Sequence, residues 1–222
     1  MLAAPYRDFQ HSIASARRLT DMYSELRRHR GLGRRGVLAP PNEDLLWLPR
    51  SAVVAALSSL DAYVHAVLYD RIPHALRGNP ISDELCNAMA NIVPIKSASS
   101  FRDALPVILA ANVHAKLTAR LRDQTLTFLS YQAPEKILAA YDMIGHPSIF
   151  DSVSRTWPGP RTSPDILKRR LANYVRRRNQ IAHEGDRDKR RRVRHMRPEY
   201  ANECASFVEN LVLRLNRVVY GP

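Results

Sequence analysis

The chain has 222 residues, of which 45% are hydrophobic, and this is enough to bury the core of one domain. Its 34 lysines and arginines outnumber 21 aspartates and glutamates, and the formal net charge of +13 favours anionic partners, nucleic acid first and an acidic membrane surface second. The two cysteines, Cys86 and Cys204, lack C-x-x-C spacing. We therefore expect neither a disulfide framework nor a thiolate metal site, and a reducing cytoplasm as the compartment.

The first predicted element is an amphipathic helix over residues 6–30, with apolar residues at helical spacing along one face. Residues 31–44 carry three glycines and two prolines, which predict a flexible connector. We therefore divide the chain into an N-terminal helix with its linker, residues 1–43, and a helical domain, residues 44–222.

A long apolar helix is predicted next, from about residue 44 to residue 69, with a bend near Pro49. Its composition raises the question of a membrane span. Polar and charged side chains within it favour a buried core helix instead, and no membrane partner is expected. These side chains are Ser58, Ser59, Asp61 and His65.

Shorter helices are predicted between this element and residue 157. They cover residues 83–92 with Ser82 as the N-cap, roughly 100–130 with an interruption or bend at Pro106, 133–145, and part of 146–157. A final helix is predicted over residues 199–220. The fold class is therefore all-α, a helical bundle in one domain with about seven or eight helices.

The helix before the last has clear sequence markers at both ends. Ser163 is the predicted N-cap, Pro164 fits the first position, and Asp165 lies in the first turn. The helix is predicted to end near Glu184, because Gly185 can adopt the left-handed conformation that terminates helices.

Arg178 interrupts the apolar stripe of this helix. The stripe passes through Leu167, Leu171 and Tyr174, and the next positions on its line are Arg178 and Ile181. A buried guanidinium needs an anionic partner.

The long apolar helix offers such a partner. Asp61 is the only acidic residue between Ser51 and Leu68, so we expect Asp61 to orient Arg178. A purely structural ion pair between the two is the alternative.

Two further polar residues accompany Arg178. Asn179 and His183 are four residues apart and share a helix face, and Arg178 flanks the same edge. A single histidine in a last helical turn is more often a simple stabiliser of the helix end. Here the neighbouring Arg178 and Asn179 and the basic run after His183 favour a functional site instead.

The sequence R-N-Q-I-A-H, Arg178 to His183, resembles the R-polar-x-x-x-H signature of HEPN domains, which are helical modules of many RNA-cleaving toxins and defence proteins. The capped helix around it and the acid-bearing apolar helix before it fit the same family. Residues 130–153, SYQAPEKILAAYDMIGHPSIFDSV, resemble the RiboL-PSP-HEPN group in particular. The resemblance covers roughly residues 44–220.

The resemblance implies a core of four to five helices that dimerises with the signature helices facing each other, and metal-independent endoribonuclease activity. Carried over residue by residue, it makes Arg178 the catalytic arginine, Asn179 the polar residue and His183 the catalytic histidine, while Asp61 matches the acidic position of the early helix. Some HEPN toxins carry a tyrosine two residues after the histidine, which a partner nucleotidyltransferase modifies. Gly185 occupies that position here, so this form of neutralisation is not expected.

The residue types suit RNA cleavage. The 2′-hydroxyl of RNA is the nucleophile, an imidazole can move its proton, and an arginine can hold the phosphate, which leaves a 2′,3′-cyclic phosphate. No cofactor and no metal site are expected, since no clustered histidine or carboxylate pattern occurs. The expected role is a toxin or antiviral-defence effector. The alternative is a non-catalytic helical module that binds RNA or a nucleotide and uses the motif for dimerisation.

The expected partners are RNA, a second copy of the chain, and an antitoxin or defence-system protein. The basic run that follows His183 is predicted to be a mobile loop that grips the RNA backbone. Together with two arginines before the motif, it supplies the expected RNA-binding residues: Arg176, Arg177, Arg190, Arg191, Arg192 and Arg194.

Overall fold

The computed structural model describes residues 3–33, 38–78, 80–93, 95–160 and 162–221. Within these ranges the protein has nine α-helices, two short 3-10 helices and no strand beyond one isolated bridge. The helices are α1 (Ala4–His29), α2 (Trp47–Ala75), α3 (Asp83–Ile92), α4 (Ala98–Ile108), α5 (Val113–Gln124), α6 (Pro134–Asp142), α7 (Ile149–Arg155), α8 (Pro164–Glu184) and α9 (Pro198–Tyr220). The all-α prediction is confirmed.

The first of two compact units comprises the chain up to Tyr63 and from Val153 onward. In this unit α1 packs against α9, and Phe9 of α1 meets the ring of Tyr63 edge-on, with centroids 5.9 Å apart. An ion pair from Arg17 to Glu209 links the same two helices, with Nη2 and Oε2 2.6 Å apart. The helix that the sequence sets apart as an N-terminal segment thus belongs to the same unit as α8 and α9.

The second unit, Val64–Ser152, contains the end of α2 and the helices α3 to α6. Here α3 packs against α5 and α6. His65 lies edge-on to Tyr131, with ring centroids 4.9 Å apart, and its Nε2 is 3.1 Å from the carbonyl oxygen of Leu129. Ser82 caps α3 as predicted, since its Oγ accepts a hydrogen bond from the backbone N–H of Leu85 at 3.2 Å.

The long apolar helix α2 differs from its prediction in bounds and shape. Because it begins at Trp47, Pro49 falls in its first turn, where proline is tolerated, and no bend is needed there. The predicted bend is therefore wrong, and the helix continues to Ala75. By length and composition the segment Pro41–Ala75 could cross a membrane, but 56% of its most apolar window is buried inside the protein, as in the core helix of a soluble protein.

Two other predicted regions are more divided than expected. The region of roughly 100–130 forms α4, α5 and a 3-10 turn over Leu126–Phe128, and Pro106 lies inside α4 while the break follows at Leu109. The predicted connector 31–44 ends in a 3-10 helix, Pro40–Leu46, and its residues 34–37 lie outside the described residues. Because of these divisions, the described chain has more helices than the seven or eight that the sequence predicts.

Candidate active site

Helix α8 carries the predicted motif and begins and ends as its sequence indicates. The Oγ of Ser163 accepts a hydrogen bond from the backbone N–H of Ile166 at 3.3 Å. Gly185 terminates the helix in the left-handed conformation, with a φ of 59°. The buried stripe consists of Leu167, Leu171, Tyr174 and Ile181. Both helix ends and the stripe are confirmed, and they fix where the polar residues of the last turns point.

The structure brings the three predicted catalytic residues together on the surface of α8. The Nη1 of Arg178 donates to Oδ1 of Asn179 at 3.1 Å and lies 3.4 Å from Nε2 of His183. Asn179 and His183 are exposed and Arg178 is half-buried. The guanidinium of Arg178 therefore contacts both the amide and the imidazole.

The predicted pairing of Arg178 with Asp61 is absent from the described chain. The side-chain polar contacts of Arg178 there are those with Asn179 and His183, and its buried Nε has no hydrogen-bond partner. Asp61 is not among these contacts, and its role as the orienting acid stays a prediction. Arg178 instead keeps unused N–H donors and carries its charge without a carboxylate partner in the described residues.

A buried aspartate that the sequence interpretation missed lies just after the motif. Asp186 is fully buried, and its carboxylate accepts hydrogen bonds from Nε of Arg50 and from both Nη atoms of Arg177, of which the Nη2–Oδ2 distance is 2.9 Å. Arg50 is also buried and donates to the carbonyl oxygen of Arg194 at 2.7 Å. These contacts tie the end of α8 to the start of α2 and to the following loop.

The basic run after α8 forms a short turn structure that we call the arginine hairpin, residues 186–194. Arg187 and Val193 form its bridge. The Oδ1 of Asp188 accepts hydrogen bonds from the backbone N–H groups of Arg190 and Arg192 at 2.8 and 2.9 Å. The predicted loop therefore has a defined backbone, because an aspartate inside the run satisfies its amides.

The six predicted RNA-binding arginines fall into two groups. Arg177 is held by Asp186, and Arg194 donates to Glu184 at 3.1 Å, so both are occupied by carboxylates. The remaining four have exposed side chains with no ion pair in the described part of the chain: Arg176, Arg190, Arg191 and Arg192. The exposed group is the part available to a phosphate backbone.

The model of the RiboL-PSP-HEPN family matches residues 19–220, nearly the whole chain. The chain belongs to the RiboL-PSP-HEPN family. No curated protein and no solved structure matches it. The HEPN match begins inside α1, further toward the N-terminus than the predicted domain start at residue 44.

The part of this HEPN chain that the structure describes has no cluster of metal-ligating side chains. Within the described residues, no three or more histidine, cysteine, aspartate or glutamate side chains lie close enough to hold a metal ion. Cys204 is buried, and burial raises the pKa of its thiol to about 12, while Cys86 is exposed and both are free thiols. The three predicted catalytic residues supply guanidinium, amide and imidazole groups, and the neighbouring carboxylates of Glu184 and Asp186 are held by arginines.

Proposed function

We propose that this HEPN protein is a metal-independent endoribonuclease whose catalytic residues are Arg178, Asn179 and His183. The observation that carries the proposal is the contact of Arg178 with His183, 3.4 Å from Nη1 to Nε2, at the surface of α8. A guanidinium without a carboxylate partner is suited to bind a phosphate, and the neighbouring imidazole is suited to move a proton beside it.

The reaction needs no nucleophile from the protein. The 2′-oxygen of the RNA attacks the adjacent phosphorus, an imidazole takes the 2′-hydroxyl proton, and the bond from phosphorus to the 5′-oxygen breaks. A second acid protonates the departing 5′-oxygen. The products are a 2′,3′-cyclic phosphate and a 5′-hydroxyl. Arg178 binds the non-bridging oxygens and stabilises the charge that accumulates on them, and Asn179 orients Arg178 through its Oδ1.

Base and acid act on opposite sides of the phosphorus, and one imidazole serves both positions poorly. We therefore propose that two copies of the chain pair through α8, so that the His183 of each copy contributes to one shared centre. The exposure of Asn179 and His183 at the surface supports this arrangement, because the motif is accessible to a second molecule. The homodimer is part of the proposed function.

The proposed setting is the cytoplasm, where the protein acts on RNA as a toxin or antiviral-defence effector under control of a partner protein. Its two free cysteines suit a reducing compartment, and its net charge of +13 suits an RNA substrate. The four exposed arginines near the motif support binding of the phosphate backbone. The same arginines also support the second candidate, a non-catalytic module that binds RNA and uses the motif for dimerisation.

Cleavage of an end-labelled RNA in the presence of EDTA separates the two candidates. We expect the wild-type protein to release fragments with 2′,3′-cyclic phosphate ends, and His183→Ala to lose at least about a hundredfold in turnover while retaining RNA affinity. His11→Ala, which removes an exposed histidine of α1, is the matched control and should cleave like the wild type. Binding without cleavage by the wild type would leave only the non-catalytic candidate.

A further inference from the structure

A cleft of about 380 Å³ lies beside α8, and its lining includes Gln180 of the motif but none of the three proposed catalytic residues. Side chains of α8 form one wall, and the residues that join the arginine hairpin to α9 form the other. Six polar side chains in its lining carry the inference: Asn173, Arg176, Gln180, His195, Arg197 and Tyr200. Its volume lies in the range of small-ligand sites, large enough for one nucleotide and too small for a duplex.

The lining has the chemistry of a nucleotide site. None of the residues that line the cleft is acidic, and Arg176 and Arg197 place exposed positive charge at its walls, whereas the lining residue Arg177 is held by Asp186. Asn173 and Gln180 supply amide groups, which both donate and accept hydrogen bonds as the edges of nucleobases do. The lining therefore matches a phosphate and a base together better than a phosphate alone.

The amides are available to a ligand. Asn173 is exposed, and its side chain has no hydrogen-bond partner in the described part of the chain. Gln180 has one weak contact, 3.5 Å from its Oε1 to Nη1 of Arg177. Tyr200 packs against Tyr174 with ring centroids 5.3 Å apart, and this contact holds the ring in place. Burial raises the pKa of the Tyr200 hydroxyl, so the hydroxyl stays protonated and can donate a hydrogen bond.

Helix geometry relates the cleft to the proposed centre. Arg176 precedes His183 by seven residues, so the two lie on nearly the same edge of α8, about 10 Å apart along the helix axis. At about 3.4 Å of axis per phosphate, this distance corresponds to roughly three nucleotides of a stacked strand. A strand whose scissile phosphate meets His183 can therefore reach the cleft without a break.

We propose that this cleft binds one nucleotide of the RNA strand, two or three positions from the scissile phosphate, and that Asn173 and Gln180 read the edge of its base. Arg176 and Arg197 hold its phosphate. The inference rests on the proposed ribonuclease function, and it assigns sequence preference to Asn173, which precedes the HEPN signature, and to Gln180, which occupies one of its unspecified positions.

Mononucleotides test the cleft without any cleavage step. Isothermal titration of the full chain with the four nucleoside 5′-monophosphates and with inorganic phosphate should show one preferred base, bound more tightly than phosphate. Asn173→Ala/Gln180→Ala should weaken the preferred nucleotide about tenfold, bring the four bases to similar affinity and leave phosphate binding unchanged. The matched control is Asn87→Ala/Gln124→Ala, which removes an exposed asparagine and glutamine from α3 and α5.

The outcomes separate this inference from the proposed function. Base discrimination that survives Asn173→Ala/Gln180→Ala, or equal binding of all four nucleotides and inorganic phosphate by the wild type, overturns the inference even if RNA is cleaved. Discrimination that the double variant abolishes, in a wild type that cleaves no RNA, supports the cleft and refutes the ribonuclease.

Discussion

The carboxylate of Asp186 accepts a hydrogen bond from the guanidinium of Arg50, 136 residues earlier in the chain, and the side chains are 0% and 2% exposed. Asp186 follows the residue that terminates α8 and lies three residues beyond His183. Arg50 is in the first turn of α2. The pair therefore fixes the end of the motif helix to the core helix, and with it the position of the imidazole.

Replacing Asp186 by asparagine should destabilise the protein strongly. The backbone of Asp186 has a φ of 55°, which asparagine tolerates, so the substitution removes the charge and keeps the turn. Arg50 is then left buried without its counter-charge, and we expect a loss of about 3–5 kcal/mol in the free energy of unfolding, measured with urea. Asp165→Asn is the control. It removes an exposed ion pair with Lys168 on α8 and should change the urea midpoint of unfolding much less. Equal midpoints for the two variants would show that the buried cluster contributes little.

The sequence predicts the local features of α8 but not the burial of Asp186. The ends of α8 were predictable, because Ser163 and Gly185 act on backbone groups within a few residues. The buried stripe was predictable except at Arg178, which is half-buried where the period placed an apolar residue. The buried position of Asp186 was not predictable from periodicity, because Asp186 lies outside any helix and its burial depends on the distant Arg50. A single aspartate directly after a helix-ending glycine was the signal available.

Neutralising the exposed arginines of the hairpin should weaken RNA binding. Arg190, Arg191 and Arg192 are exposed and their side chains form no ion pair in the described residues, whereas Arg194 is occupied by Glu184. We expect the triple glutamine variant of the first three to lower affinity for a 2′-O-methyl oligonucleotide. It should also reduce the salt dependence by up to roughly 0.7 log units per lost phosphate contact.

The control for the hairpin variant is Arg7→Gln/Arg28→Gln/Arg102→Gln, which removes the same charge from exposed positions on α1 and α4. Turnover at saturating RNA should be largely preserved in the hairpin variant, because none of its changes touches the motif. If both triple variants lose affinity equally, the hairpin contributes only to the net charge and the RNA follows another path.

Mixed dimers test the shared centre. When wild type and His183→Ala are mixed in equal amounts and allowed to exchange, about a quarter of the pairs are wild type in both copies. If both imidazoles are required, the rate of RNA cleavage should fall to about a quarter of the rate of wild type alone at the same total protein concentration. If each copy cleaves alone, the rate should fall only to half. The exchange itself is checked by cross-linking differently tagged copies, and a strictly monomeric protein that still cleaves RNA would contradict the shared centre.

The stability of the protein should depend on pH through His146, which lies in the turn between α6 and α7. Burial, and to a lesser extent the charge of Arg71, lowers the pKa of His146 below its usual 6.5. The unfolded chain then binds a proton that the folded chain does not, so this contribution to stability is present above about pH 6.5 and is lost as the pH falls toward the pKa of the folded state.

We expect the free energy of unfolding to rise between about pH 5.5 and 7.5, and to rise less in His146→Gln. His74→Gln, an exposed histidine in the same unit, controls for the loss of an imidazole as such. Identical pH slopes for the wild type and His146→Gln would show that this half-buried imidazole does not govern the dependence.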